Sequence, residues 1–492
     1  MVDKNISILP PLNRSTAGIA EKRTPKIIQF GGGNFLRGFF DWMVDTLNEK
    51  TDFDAGVIVV KPTERGDYTA LRNQDGLFHV STNGIKDGQL ISKNELVRCV
   101  NQVVHPYRAW ETFLRTAELA SIRFIVSNTT EAGIKVNSED QFTDTPPKEF
   151  PAKLTRWLYR RFSYFKGNET KGCIIMPCEL IENNGDALRS AILEYTRLWS
   201  LGDDFQKWIL DHNIFCNTLV DRIVPGFPTT RKAELFQKIG YQDDLLVDAE
   251  PYHIFVIQSE KDIKDELPFH QTNLNVVFAD DLASYRTLKV RILNGAHTLM
   301  VPVGYMSGLE SVREAVESEI IGKYIQATLW EEIIPSLDFP PEVSEKYAAE
   351  ILDRFRNPFI HHRLISIALN SITKFKTRLL PSLLDFYNKK NTLPPRIVFS
   401  FASLIWMYRG KRKSAIIPLQ DNPETITFFK KLWSDFYNNT ITIDDLVKTV
   451  LASVDFWQKD LNEVEGLRET LVKHLKDFEE SGYQVSEDVG TT

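Results

Sequence analysis

The stretch KIIQFGGGNFLRGFFDWMVDTLN, residues 26–48, decides the fold. KIIQF is a short β-rich run that ends in three glycines. After it, apolar residues fall at Phe35, Leu36, Phe39, Phe40, Met43, Val44 and Leu47, which is helical spacing. The segment reads strand, glycine turn, helix, the context that a dinucleotide pyrophosphate needs. Glycine at 31 permits a tight turn, glycine at 33 lets backbone approach phosphate, and the helix N-terminus offers free N–H groups. On this reading the cradle comprises Phe30, Gly31, Gly32, Gly33, Asn34 and Phe35. The pattern is G-x-G-x-x-Leu: Leu36 stands where the usual third small residue would be, and Gly38 comes two residues late. A purely structural glycine turn is the alternative, and the motif alone does not separate the two.

Outward from this turn, short apolar runs of the fully buried parallel type recur at 56–61, 123–128, 173–177, 253–258 and 274–280. Helical patterns at 110–120 and 152–165 lie between several of them. Strands alternating with helices predict an α/β, Rossmann-like parallel sheet. From about residue 283 the periodicity turns helical and strand runs become sparse. The expectation is a Rossmann-like dinucleotide-binding domain over 1–282, followed by a mostly α-helical substrate-binding and catalytic domain over 283–492. The second strand ends at Lys61, where an NAD enzyme usually has an acid for the ribose diol. Lys61 suits an NADP phosphate, or a lysine running beside the adenosine, so NAD and NADP both stay open. Small polar residues after the strand at 123–128, namely Asn128, Thr129 and Thr130, sit where an open α/β sheet binds ligand, or they form a plain capped turn.

Composition narrows the class. The chain has 492 residues, with 42% hydrophobic, 25% charged and a formal net charge of −7. Such a balance lacks the electrostatic drive toward nucleic acid or anionic membrane. No run of about 18 apolar residues reads as a membrane span, and the N-terminal residues lack a signal-peptide apolar region. A cytoplasmic protein is expected. Four scattered cysteines (Cys99, Cys173, Cys178, Cys216) have neither zinc-finger nor redox spacing and read as buried thiols. Oligomeric state is not legible.

The sharpest constellation is Lys289-Val-Arg-Ile-Leu-Asn294-Gly-Ala-His297. On an α-helix, Asn294 falls about 140° and His297 about 80° from Lys289, within one arc, but Lys289 and His297 stand about 12 Å apart along the axis. Hydride transfer between an alcohol and a carbonyl needs a group that exchanges the hydroxyl proton. It also needs a donor for the developing oxyanion and a group that holds the substrate. Lys289 suits the first role if burial at a domain junction brings its pKa toward neutrality, a shift worth about 4 kcal/mol. Asn294 suits the second and His297 the third. A core histidine with a surface lysine is the alternative. Tyr285 and Lys289 also have the Tyr-x-x-x-Lys spacing of short-chain dehydrogenases, but far too late in the chain, so that spacing reads as coincidence.

Together these segments resemble the polyol-specific long-chain dehydrogenases of the mannitol dehydrogenase family. The matching stretches run in order from about residue 26 to 415: IIQFGGGNFLRGFFDWMVD, FIVSNTTEAGI, PAKLTRWLYRRF, PCELIENNGDALR, CNTLVDRIV, KVRILNGAHTLMVPVGY, RFRNPFI and SIALNSITKFKTRLLP. The resemblance implies NAD-dependent, metal-independent hydride transfer, with Lys289 as the catalytic lysine and Asn294 and His297 as its companions. A further family asparagine that holds the reacting oxygen is matched to Asn184, although Leu180 replaces the earlier asparagine of polyol members. Asp221, with Arg222, matches a family signature near the substrate. Lys374 matches a substrate-contacting lysine, while Ser366 stands where polyol members carry an arginine. The branch most similar to this chain acts on a small-molecule sugar acid, an anion that wants a paired cation. Lys374 is the first candidate, then Arg356 and His361; each is otherwise an ordinary surface charge. Sister substrates of the same family are the first rival. A nucleotide-binding regulator without catalysis is the second, and the intact Lys289, Asn294 and His297 argue against it.

Overall fold

Alternation along the first strand sets the layers of the N-terminal part. In the computed structural model, which describes residues 9–129, 133–485 and 489, strand β1 spans Thr24–Phe30. Ile27 faces one apolar cluster, while Ile28 and Phe30 face another. Successive side chains of a strand point to opposite faces, so β1 is covered on both sides. Phe39, Phe40, Met43 and Leu47 of the following helix fill the first cluster, and Trp110, Leu154 and Trp157 fill the second.

The remaining strands of this part are β2 (Ala55–Val60), β3 (Phe78–Lys86), β4 (Gln89–Val97), β5 (Val100–Val104), β6 (Phe124–Ser127), β7 (Ile174–Pro177), β8 (Ile214–Phe215), β9 (Asn217–Asp221), β10 (Val247–Ala249), β11 (Ile254–Gln258) and β12 (Val276–Ala279). The main sheet has six strands in the order β5-β2-β1-β6-β7-β8, all paired in parallel. The chain therefore has the Rossmann-like sheet and largely helical C-terminal part that the sequence pattern predicts. One expectation is corrected. The runs at 253–258 and 274–280 do not join the main sheet; β11 and β12 form a separate sheet with β9, in which β9 is antiparallel to β11. Their apolar faces instead pack beside the first helix, through Phe255 and Ile257.

The described residues divide into two compact units. One runs to Asn83 and resumes from Leu90 to Tyr285; the other comprises Gly84–Gln89 and the chain from Arg286 onward. In the second unit the Gly88 N–H donates to Asp353 Oδ2 at 3.0 Å. Its centre is the helix Pro395–Met407, buried at every position from Arg396 to Met407, as an all-round apolar helix must be. Around it pack Ile292, Leu299, Met300 and Val303 of the helix 283–306, with Leu446, Leu467 and Leu471 from later helices. Among the described residues, no helix is long and apolar enough to cross a membrane. All four cysteines are buried and unpaired.

Candidate active site

Strand register aligns the carboxyl ends of the main sheet. Phe30 stands opposite Val60 and Ser127, Val60 opposite Val104, and Ser127 opposite Pro177. The residues that follow, Gly31, Lys61, His105, Asn128 and Cys178, therefore share one edge, and β1 lies at its switch point, where such sheets take ligand. The loops continue the ladder: the N–H groups of Gly31, Lys61, Asn128 and Cys178 donate to Val60, Val104, Phe30 and Ser127 at 3.0, 2.9, 3.1 and 2.7 Å.

The three glycines answer to different demands. Gly31 has φ +117°, and a Cβ there would stand 3.0 Å from the Asn128 carbonyl oxygen. A Cβ at Gly32 would meet Val59 and the Tyr68 ring, whose hydroxyl accepts the Gly32 N–H at 2.8 Å. Gly33, at the helix N-cap, would meet nothing within 4 Å. Packing thus explains the first two glycines and leaves the third open to solvent at a helix N-terminus, a position suited to a phosphate group. Leu36 is buried, with Cδ1 against the Gly31 position. Close approach is supplied instead at Gly38, where a Cβ would come within 2.8 Å of Val224. Gly38 lies in a π-helical segment, Arg37–Asp41, that interrupts the helix 34–50. Asn34 accepts from Arg37 Nη2 at 2.9 Å, and Phe35 stacks on Phe39 with centroids 4.8 Å apart.

Lys61 is buried rather than solvated. Its Nζ donates to Thr63 Oγ1 at 2.7 Å and lies 5.3 Å from the centre of the Tyr68 ring, so it props the tyrosine that holds Gly32. Burial lowers its pKa, with Asp67 opposing. Asn128 donates through Nδ2 to the Cys178 carbonyl at 2.8 Å, and Thr129 gives both N–H and hydroxyl to Glu179 Oε1 at 2.9 Å. Ser127 Oγ donates to Glu179 Oε2 at 3.0 Å. Glu179, buried with its pKa raised by desolvation, organises this loop and was missed by sequence reasoning. Its place two residues after the end of β7, at the ligand-binding edge, is the signal that could have found it. Thr130 lies outside the described residues.

Asn184 does not present its amide as expected. Asn184 is 1% exposed. Its Nδ2 donates to the carbonyls of Pro177, Glu179 and Thr218, and its Oδ1 accepts the Thr218 N–H. Both ends of the amide hold backbone, which leaves no donor for a substrate oxygen. Asp221 closes β9 half-buried. Its neighbour Arg222 is buried, donating to the carbonyls of Glu250 and Gly38 and to Thr82 Oγ1, with the guanidinium 4.1 Å from the Trp42 ring centre. That signature braces the π segment after the glycine turn.

The helix 283–306, which belongs to the second unit from Arg286 onward, is not α-helical throughout. Residues Lys289–Asn294 form a π segment between α-helical Ala283–Leu288 and Gly295–Met306. Hydrogen bonds there span five residues instead of four, as in the Gly295 N–H to Val290 carbonyl contact, so the turn is wider. Residues five apart then come nearer to one full turn than the 140° of an α-helix. The π segment brings Lys289 and Asn294 toward the same face, which sequence arithmetic on a regular helix did not foresee. Lys289 and Asn294 are both partly exposed. The Asn294 side-chain amide has no hydrogen-bond partner among the described residues, while its carbonyl accepts from Thr298 Oγ1 at 2.9 Å.

His297 follows one turn later. Its Nε2 is buried without a hydrogen-bond partner among the described residues. The ring packs on Phe355, 4.5 Å between centroids, and edge-on to His362 at 5.2 Å. Desolvation, then His362, Arg354, Arg378 and Lys374, hold its pKa well below the ordinary histidine value, so the imidazole is neutral. Of the three cations expected near substrate, only Lys374 is among these neighbours. Arg356 lies 3.7 Å from Asp353, and His361 is exposed. Arg378 and His362 were missed. Arg378 was findable, because it follows Lys374 by four residues and so shares its helix face.

Two family models cover nearly the whole chain: the mannitol dehydrogenase Rossmann domain matches residues 25–271, and the mannitol dehydrogenase C-terminal domain matches 281–479. The chain belongs to the mannitol dehydrogenase family. It is an oxidoreductase of the kind that acts on CH–OH groups. An altronate oxidoreductase of Yersinia enterocolitica is 44% identical over 462 residues, covering 94% of this chain and 96% of the relative. One of Escherichia coli O7:K1 is 45% identical over 458 residues, covering 93% and 95%. Among solved structures, substrate-free D-sorbitol dehydrogenase aligns with TM-score 0.76 at 22% identity, covering 98% of this chain and 97% of the other. The Pseudomonas fluorescens mannitol 2-dehydrogenase ternary complex aligns with TM-score 0.64 at 20% identity, covering 96% and 97%. At that identity the two structures speak for the fold.

Proposed function

We propose that this mannitol dehydrogenase family member is an NAD-dependent enzyme of hexuronate breakdown that interconverts D-tagaturonate and D-altronate in the cytoplasm, mainly as a reductase. Residues 1–282 bind the dinucleotide, and 283–492 bind the sugar acid and carry the proton chemistry. The observation that carries this reading is the helix 283–306, whose π segment lies in the second unit. Its π turn offers Lys289 and Asn294 together, and the next turn sets a neutral His297 among cations suited to an acidic sugar. The altronate oxidoreductase relatives, at 44 and 45% identity over almost the full chain, support the same substrate.

A bound reduced nicotinamide supplies a hydride to the ketone carbon. As the C=O π bond breaks, the carbonyl oxygen takes up the electron pair, and the Lys289 ammonium gives it a proton, leaving a neutral amine that solvent reprotonates. Asn294, whose amide has no other partner among the described residues, donates to that oxygen while charge develops on it. His297, neutral and with Nε2 free of partners among the described residues, hydrogen-bonds a substrate hydroxyl. Asn184 acts at one remove, holding the Glu179 turn in place. Lys61, turned inward on Thr63 and Tyr68, is already engaged, which favours NAD over NADP.

Initial rates with D-tagaturonate, D-fructuronate and D-fructose, each with NADH and with NADPH, test this. D-tagaturonate with NADH is expected to give the highest kcat/KM. A higher value with D-fructuronate or D-fructose would assign a sister specificity, and a higher value with NADPH would overturn the coenzyme choice.

A further inference from the structure

The helix Ser371–Arg378 carries two cations, Lys374 and Arg378, four residues apart and therefore on one face. Like charges so placed repel on an isolated helix. Neither forms an ion pair with a carboxylate among the described residues. Lys374 Nζ donates to the Ile367 carbonyl at 2.7 Å, and the acid within its field, Asp421, accepts the hydroxyl of Tyr408. Arg378 is half-buried, and its polar contact is a long one, Nη1 to Thr298 Oγ1 at 3.5 Å. That contact places the guanidinium beside Thr298. Thr298 follows His297 directly, and its hydroxyl also bonds the Asn294 carbonyl at 2.9 Å. A planar fork of donors thus stands beside two residues of the proposed chemistry, with most of its hydrogen-bonding capacity unused among the described residues. Guanidinium geometry matches a carboxylate in two parallel bonds, which a lysine cannot reproduce.

We propose that Arg378, backed by Lys374, is the seat of the substrate's carboxylate and so the residue that selects sugar acids over neutral sugars. This rests on the reading of the substrate given above. Arg356 and His361 then have no part in it. The His297 Nε2, without a partner among the described residues, belongs to a ring within the field of the same cations and suits a hydroxyl of the chain that the carboxylate anchors.

The test compares D-tagaturonate with D-tagatose, which carries a hydroxymethyl where the uronate has its carboxylate. In the full-length enzyme, Arg378→Met is expected to raise KM for D-tagaturonate about 100-fold and to leave kcat/KM for D-tagatose within about twofold. The preference for the acid therefore collapses. Arg378→Lys keeps the charge and loses the fork, and is expected to raise KM about tenfold. Near-UV circular dichroism and NADH binding check that each variant is folded; should Arg378→Met not fold, Arg378→Lys decides alone. Equal losses on both sugars, or none on either, would overturn the assignment while leaving the activity standing. A wild-type enzyme that reduces D-tagatose and not D-tagaturonate would remove the activity reading, and the assignment with it.

Discussion

The helix 34–50 and the helix 283–306 share an irregularity, a π segment at Arg37–Asp41 in one and at Lys289–Asn294 in the other. In the first, all five π residues are buried, and Gly38 lets the widened turn approach Val224 and Val247. In the second, Lys289, Val290 and Asn294 stay partly exposed while Arg291, Ile292 and Leu293 anchor the other face in the core. The same local geometry therefore packs a helix in one unit and presents side chains in the other. What decides is the company it keeps. The first turn sinks Phe39 and Phe40 into an apolar cluster and has its Gly38 carbonyl held by buried Arg222, whereas the second leaves Lys289 and Asn294 on a partly exposed side.

The largest test of this contrast is Lys289→Ala. If the second π turn presents an acid, kcat for reduction should fall between about a hundredfold and ten-thousandfold, with NADH binding retained in a fluorescence titration. Unchanged turnover would make that turn as structural as the first. Asn294→Ala should lower kcat by about 100- to 1,000-fold with little change in KM, as expected of a donor used in the transition state. An effect confined to KM would place Asn294 in ground-state binding instead.

The first π turn should fail differently, through stability. Asp41 is 1% exposed, and desolvation pushes its pKa from 3.8 up to about 7, against a weak hydrogen bond from Gln29 Nε2 at 3.3 Å. Asp41 Oδ1 and Gln29 Oε1 are both buried without partners among the described residues, so a proton on Asp41 supplies the donor that the pair lacks. The unfolded carboxyl loses its proton near its ordinary pKa, and the folded one near about 7. Between these values the folded form binds the extra proton, so its stability contribution is complete below the lower pKa and is lost as pH rises through the upper. Urea midpoints should decline from about pH 4 to pH 7 by an equivalent on the order of 3 kcal/mol. Asp41→Asn should flatten most of that decline. Asp45, with its pKa raised to about 6 by burial, leaves a residual slope of the same sign.

The sequence was most readable where period and burial agree. Strands such as AGVIVV, buried at every position, declare themselves by composition. Strands β3 and β4 did not, because buried His79 of β3 is satisfied by Asp243, 164 residues away, and β4 is largely exposed. No local pattern records such a partner. The same limit applies to the site. Lys289, Asn294 and His297 were legible as residue types at helical spacing, but the π turn that aligns the first two depends on tertiary packing. Asn184 was legible as an amide in the right segment, yet only the fold reveals that β7 and β9 occupy both its ends.

The finest division lies within the glycine turn itself, and it separates packing from ligand approach by two residues. Gly31→Ala forces a Cβ onto a backbone with φ +117° and against the Asn128 carbonyl, so it should cost about 1–3 kcal/mol of stability, read as a lower urea midpoint. Gly33→Ala meets no protein atom within 4 Å and has an ordinary φ of −71°, so the midpoint should not move. If the open position is where phosphate approaches backbone, the new methyl group intrudes there, and the NADH dissociation constant should rise about tenfold, equivalent to about 1.4 kcal/mol. A Gly33→Ala protein with wild-type affinity and wild-type stability would mean that nothing approaches that glycine from either side. The cradle would then have to be sought along Asn128 and Thr129 rather than at the helix N-terminus.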